Sequence, residues 1–228
     1  MAISQHAAAN TVSAENQVKS SSVFMTRRGG SYKVLFVGNS ITRHAPKPDI
    51  GWYGNWGMAA SSEDKDYVHV LLSLLEKTYG VPDYGIAHVS NWERSYQDGN
   101  KLLEERYGEA RDFAADIVII RLGENMPKCS APECKPQFCD MIDFFVSNPN
   151  AKVIITDNFW KNDAKDTMIR EIAAEKGYTF CHIGDLEDDK ATMALGQFEH
   201  KGVSVHPSDL GMARIAERLF EMIKTIKQ

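Results

Sequence analysis

Residues 33–42 read KVLFVGNSIT, and the reading of this stretch decides the fold. Val34, Leu35, Phe36 and Val37 make an apolar run of the length expected for a strand buried on both faces. The run stops at Gly38-Asn39-Ser40, so a hydroxyl follows the strand directly. In an open parallel sheet, ligands bind outside the carboxyl ends of the strands, which makes Ser40 a candidate nucleophile.

Outward from this strand, short apolar runs alternate with amphipathic segments. Strands are expected at 33–38, 84–90, 117–120, 153–156 and 178–183, the clearest being the β-branched run Ile117-Val118-Ile119-Ile120. Helices are expected at 64–79, with Tyr67, Leu71 and Leu75 on one face and Gly80 as cap, and at 100–111. Pro136 can start a further helix that Pro149 stops, and two more follow at 163–176 and 207–226. Strands that alternate with helices predict an α/β fold: a three-layer α/β/α sandwich around a parallel, flavodoxin-like five-stranded sheet with right-handed crossovers. Residues 31–228 read as one domain, and residues 1–30, polar and small, as an N-terminal tail or peripheral element.

Composition narrows the class of function. At 228 residues the chain suits one substantial α/β domain. A net charge of -5, with no basic block beyond Arg27-Arg28, argues against a nucleic-acid partner. No stretch approaches the roughly 18 apolar residues of a membrane span, and the N-terminus lacks the basic and apolar regions of a secretory signal. A cytoplasmic location follows for the sequence as written, with secretion left open if the N-terminus is incomplete. Cys129, Cys134, Cys139 and Cys181 read as reduced thiols rather than metal ligands, because no CxxC pair or adjacent His completes a zinc-like set. Neither a metal nor an organic cofactor is expected. Nothing in the sequence sets the oligomeric state.

The segment up to Ser62 reads HAPKPDIGWYGNWGMAASS and is too long and aromatic for an idle connection. Trp52 and Trp56 have two readings: flat apolar faces for a sugar ring, or packing that pins the loop. His44 reads as an exposed loop residue. Asp157 and Asp185 read as solvated loop positions, residues 187–189 as a solvated charge run, and Asp209 as a first-turn acid that complements a helix dipole.

Ser40, Asn125 and His206 fall at strand ends or at the entrance of the last helix. A hydroxyl needs a base within hydrogen-bond reach, and His, with a pKa near ~6.5, is suited to that task. An oxyanion needs donors, which an Asn amide and backbone N–H groups can supply. The GxSxG elbow is absent, because Thr42 occupies the second glycine position.

Gly38-Asn39-Ser40-Ile41-Thr42 resembles the first block, GDSIT, of the SGNH (GDSL-like) hydrolases, with Asn39 in place of Asp. Gly123-Glu124-Asn125 is similar to the third block, with Met126 where that family has Asp. Val205-His206-Pro207-Ser208-Asp209 with Gly211 is similar to the last block, in which the His opens the C-terminal helix. The resemblance implies that Ser40 is the nucleophile, His206 the base, and Asn125 with the Ser40 N–H the oxyanion donors. Glu93 stands in the second-block slot where a glycine N–H is expected. Three residues before His206 the family carries an orienting Asp, and here the residue is Val203. Three alternatives follow: a backbone carbonyl orients the ring in a Ser-His dyad, an acid from elsewhere (Glu199, Glu124 or Glu93) does so, or catalysis is impaired. The activity implied is that of a serine esterase acting on a small acyl ester such as acetyl, on a carbohydrate or other small molecule. The alternatives are a non-catalytic carbohydrate-binding module and an O-acyltransferase.

Overall fold

The computed structural model describes residues 22–99 and 101–227. Its strands are β1 (Val23–Thr26), β2 (Lys33–Gly38), β3 (Asp83–His88), β4 (Ile117–Arg121), β5 (Lys152–Thr156) and β6 (Thr179–Cys181). Its helices are α1 (Tyr67–Tyr79), α2 (Ser90–Arg94), α3 (Lys101–Asp112), α4 (Ala131–Phe145), α5 (Asp163–Lys176), α6 (Lys201–Ser204) and α7 (Asp209–Ile226). The sheet runs in the order β1-β3-β2-β4-β5-β6. Strands β2 to β6 are parallel, and β1 pairs antiparallel with β3, Val23 opposite Ala87.

The sheet therefore has six strands where five were expected. The extra one, VFMT at 23–26, lies inside the stretch read as a tail, and so short a run at an edge carries no period of its own. Residues 1–21, the rest of that stretch, lie outside the described residues. Without β1 the order is flavodoxin-like: the chain winds from β2 to β3 on one side and then crosses to β4 on the other. That reversal opens a crevice at the carboxyl ends of β2 and β4.

Both faces of the sheet are covered, as the unbroken apolar runs require. Leu35, Val37, Val118, Ile120 and Ile155 point to one side, against Leu103 and Tyr107 of α3, Phe138, Ile142 and Phe145 of α4 and Ile169 of α5. Val34, Phe36, Ile117, Ile119 and Ile154 point to the other, against Tyr67, Leu71 and Leu75 of α1 and Met212, Ile215 and Leu219 of α7. Full burial of such a side chain contributes roughly 1.5–3 kcal/mol, so these two clusters set the strand register.

Local capping moves several helix starts from their expected positions. Helix α1 begins at Tyr67, not 64, because the Asp66 carboxylate caps it by accepting from His69 N. Helix α4 begins before Pro136: Ser130 N–H donates to the Glu133 carboxylate at 2.8 Å, and Pro136 rides inside the helix. Helix α7 begins at Asp209 with Ser208 as its cap, so His206 lies upstream of the helix and does not cap it.

Gly38 closes β2 where backbone and side chain crowd together. A Cβ there would lie 1.9 Å from Thr42 Oγ1 and 2.9 Å from the Arg121 carbonyl oxygen. Gly38→Ala should therefore cost about 1–3 kcal/mol through overpacking. Urea denaturation checks this: the midpoint should fall with the slope unchanged, and an unmoved midpoint would contradict the close approach.

Candidate active site

The turn after β2 presents Ser40. Thr42 N and Arg43 N both donate to Asn39 O, at 2.9 and 3.0 Å, and Met58 N donates to Ser40 O at 2.9 Å. The Ser40 hydroxyl meets His206 Nε2 at 2.8 Å. On the far side of the ring, His206 Nδ1 lies 2.7 Å from the carbonyl oxygen of Gly202. A carbonyl can only accept, so Nδ1 carries the proton and Nε2 of the neutral ring is left to accept from Ser40. The backbone fixes the ring's position, with His206 N donating to Val203 O and Ala194 N donating to His206 O. Trp160 stands edge-on to the imidazole at 4.9 Å between centroids, and its indole N–H donates to Val205 O. Burial lowers the His206 pKa to about 4; the Gly202 carbonyl opposes that shift and the nearby Arg121 charge adds to it. The ring is thus neutral at pH 7.

Among the described residues, no carboxylate takes the place of the missing Asp. Val203 is buried in an apolar cluster with Trp52, Met58, Ala59 and Ala194. Glu199 is exposed and lines a groove that adjoins the Ser40 cavity. Glu124 binds Arg121 Nη1 at 2.7 Å and accepts from Asn39 Nδ2 at 2.7 Å and from Phe159 N at 3.1 Å. Glu93 is buried among donors of its own. None of these three carboxylates bonds to His206; the Gly202 carbonyl does.

Beneath Ser40 lies a polar network that joins the ends of β2 and β4 to α2. Asn39, Arg121 and Glu93 are all fully buried. Asn39 Oδ1 accepts from Arg121 Nη2 and from Ile41 N, while Asn39 Nδ2 donates to Glu93 and Glu124. Glu93 also accepts from Gly123 N at 2.7 Å and from Asn125 Nδ2 at 2.7 Å. Burial, reinforced by the Glu124 charge, pushes the Glu93 pKa up. Burial acts in the same direction on Glu124, but the charge and hydrogen bonds of Arg121 prevail and hold that carboxyl low. Asn39 is thus the amide that supplies donors to two carboxylates, a task an Asp could not perform. This accounts for the departure from GDSIT.

The network also orients Asn125. One amide hydrogen goes to Glu93, which leaves the second for the cavity that Asn125 lines. The Glu93 backbone N–H donates to Val89 O at 3.1 Å, so it does not face an oxyanion as the second-block slot implied. The cavity of ≈ 240 Å³ is lined by Ser40, His206, Asn125, Ser90 and a set of basic residues that includes His44. Ser90, His88 and Arg94 escaped the sequence reading. Their one signal was position, since HVS follows the third strand as GNS follows the second.

Trp52 and Trp56 belong to the loop's own packing. Trp52 is 2 % exposed, meets Trp56 edge-to-face at 5.8 Å, and donates its indole N–H to His44 O. Trp56 donates to Ala60 O at 2.9 Å, and neither ring lines the cavity, so they do not offer the sugar face that was one of their two readings. His44 lines the cavity rather than solvent. Asp157 is buried and accepts from Ile183 N and Gly184 N, and Asp185 pairs with Arg218. Asp189 and Asp188 pair with Arg214 and Lys161. Asp209 holds the 44–62 loop by accepting from Ser61 N at 2.8 Å and Ser61 Oγ at 2.6 Å.

No family model matches the chain, and no curated protein matches it significantly. Solved structures do. A carbohydrate esterase family 2 enzyme with a carbohydrate-binding domain, from Corynascus (Myceliophthora fergusii), matches at TM-score 0.55 and 15% identity over 89% of this chain and 69% of that one. A lipase/acylhydrolase from Enterococcus faecalis matches at TM-score 0.57 and 14% identity over 85% and 96%. An active-site mutant of a family two carbohydrate esterase from Clostridium thermocellum matches at TM-score 0.58 and 15% identity over 86% and 64%. The architecture these structures share with the chain is the SGNH hydrolase fold.

Restoring the GDSIT block by Asn39→Asp should destabilise the protein. The change removes two donors and sets a third carboxylate against Glu93 and Glu124, at a cost of about 3–5 kcal/mol. The new carboxyl must take up a proton to be tolerated, so its folded-state pKa is raised and stability is lost as pH rises. Urea denaturation at pH 5 and pH 8 should find the deficit larger at pH 8; an Asn39→Asp protein as stable as wild type would refute the network.

Proposed function

We propose that the protein is a serine esterase that removes a small acyl group, acetyl above all, from a carbohydrate ester through an acyl-Ser40 intermediate. The observation that carries this is the chain of contacts from Ser40 Oγ to His206 Nε2 and from His206 Nδ1 to Gly202 O. As His206 Nε2 takes the Ser40 proton, Ser40 Oγ attacks the ester carbonyl and forms a tetrahedral oxyanion. The Ser40 N–H and the free Asn125 amide hydrogen receive that oxyanion; one such donor can be worth roughly 3–4 kcal/mol of barrier. The intermediate collapses, the C–O bond to the sugar breaks, and the proton on Nε2 passes to the departing alcohol. Water then repeats the sequence on the acyl-enzyme and releases the acid and free Ser40.

The carbonyl of Gly202 fills the tautomer-holding part of the triad acid's role. It brings no charge to stabilise the imidazolium, in keeping with a ring whose pKa is depressed by burial. The carbohydrate part of the reading draws on the carbohydrate esterases among the similar structures and on the open groove beside the cavity. A binding module on a decayed fold has no need for an aligned Ser and His, and the intact pair favours the enzyme. An O-acyltransferase would use the same pair, with a sugar acceptor in place of water.

Ser40→Ala should abolish both hydrolysis of a chromogenic acetyl ester and covalent labelling by a fluorophosphonate, and His206→Ala should lower kcat/KM about 10³-fold or more. Wild-type protein that neither turns over the ester nor takes the label would refute the esterase. The base must be neutral to act, so the acid limb of the kcat/KM profile should fall near pH 4, with a plateau above pH 6. A limb centred near the ordinary histidine value would show that the ring is not buried as described.

A further inference from the structure

The walls of the catalytic cavity carry charge of one sign. His44, Lys47, His88, Arg94 and His200 line it, and no Asp or Glu does, on a chain whose net charge is -5. Several cations elsewhere on the surface are matched by acids: Lys135 by Glu171 and Glu175, Lys161 by Asp188, Lys176 by Asp143, Arg218 by Asp185. Arg94 has no carboxylate partner among the described residues. Lys47 has only the exposed Asp49, at 3.8 Å. Glu93 and Glu124 take their donors from the protein beside Arg121, and the acids Asp49 and Glu199 line the adjoining groove, not the cavity itself.

A second feature points the same way. His88 Nε2 is buried at the cavity and has no hydrogen-bond partner. A polar atom withdrawn from water without a partner is costly, and a ligand group that meets it recovers that cost. Burial, and the neighbouring positive charges with it, keep His88 and His44 below their ordinary pKa values, and Arg94 and Lys47 are the Arg and Lys side chains on the wall.

We infer that the ester accepted here carries a carboxylate close to its acyl group, as an acetylated acidic sugar does, and that Arg94 and Lys47 select it. The inference rests on the esterase reading and narrows its substrate class. A guanidinium offers the paired donors that match a carboxylate, and Lys47 adds a point charge to the same cavity. The adjoining groove of ≈ 630 Å³ shares Ile50 and His200 with the cavity, which gives the remainder of the sugar a place to lie.

The test compares an acetylated methyl glucuronide with the matching acetylated methyl glucoside, which differ only in carboxylate against hydroxymethyl. Wild-type kcat/KM should favour the glucuronide by about tenfold at low salt, and the ratio should shrink in 0.5 M salt. In Arg94→Gln the ratio should drop to within about twofold of unity. Because the readout is a ratio, a general loss of activity in the variant cancels. A wild-type ratio at or below one overturns the inference, as does a ratio that Arg94→Gln and Lys47→Gln leave unchanged. p-Nitrophenyl acetate serves as the control for the esterase reading: turnover of it without charge preference sinks only the inference. If no acetyl ester is hydrolysed, calorimetric titration with glucuronate against glucose still decides, since equal or absent binding of the acid overturns the inference as well.

Discussion

Arg121 is a fully buried cation at the end of the central strand β4, and the arrangement around Ser40 engages both of its terminal nitrogens, while Nε has no partner. Such a charge is tolerable only when paired and hydrogen-bonded. Glu124 pairs with it, Asn39 accepts from it, and Asn39 in turn donates to Glu93 and Glu124. Glu93 then takes the backbone N–H of Gly123 and the side chain of Asn125. One electrostatic requirement thus links the residue before Ser40, the helix after β3 and the Asn that lines the cavity. Displacing any member would strand a buried polar group, so each member holds the others in place.

The histidine is held by different means. His206 arrives on the irregular stretch between α6 and α7, where backbone bonds to Val203 and Ala194, a Trp160 edge and the Gly202 carbonyl each restrict the ring. With Val203 buried in the apolar cluster under Trp52, the place of the family's Asp is filled by packing. The ring is therefore dry and neutral. A dry, neutral imidazole that donates to a carbonyl is a competent hydrogen-bond acceptor for a serine, whereas a solvated one would drift between tautomers. The tryptophans of the 44–62 loop contribute through this packing, and the cavity beside Ser40 is lined largely by polar and basic residues.

Much of the layered fold was legible because burial on both faces leaves a mark in the sequence. Ile117-Val118-Ile119-Ile120 can be little other than a central strand, and the stripe of Met212, Ile215, Leu219 and Ile223 can only be the inner face of a helix. The edge strand β1 was not legible, since a short run with one partner has neither continuous apolarity nor clean alternation. The helix starts were misread where a cap competes with propensity: Asp66, Ser130 and Ser208 decide the first turns, and prolines mark them less reliably.

Within the site, the sequence by itself determined which residue types could meet. A strand that ends in Gly-Asn-Ser, a Gly-Glu-Asn after the next inner strand, and a His ahead of the last helix converge because a parallel sheet brings its carboxyl ends to one edge. What only the tertiary structure decided is how each group is held. The partner of His206 Nδ1 is a backbone carbonyl, and every residue has one, so no residue letter could announce it. The task of Asn39 appears only once Arg121, Glu124 and Glu93, up to 85 residues away along the chain, share one dry volume with it. That Arg94 has no carboxylate partner among the described residues is likewise visible only after folding. Hydrophobic pattern is local and periodic and can be read along a chain; hydrogen-bond and charge partners are set by who is adjacent after folding.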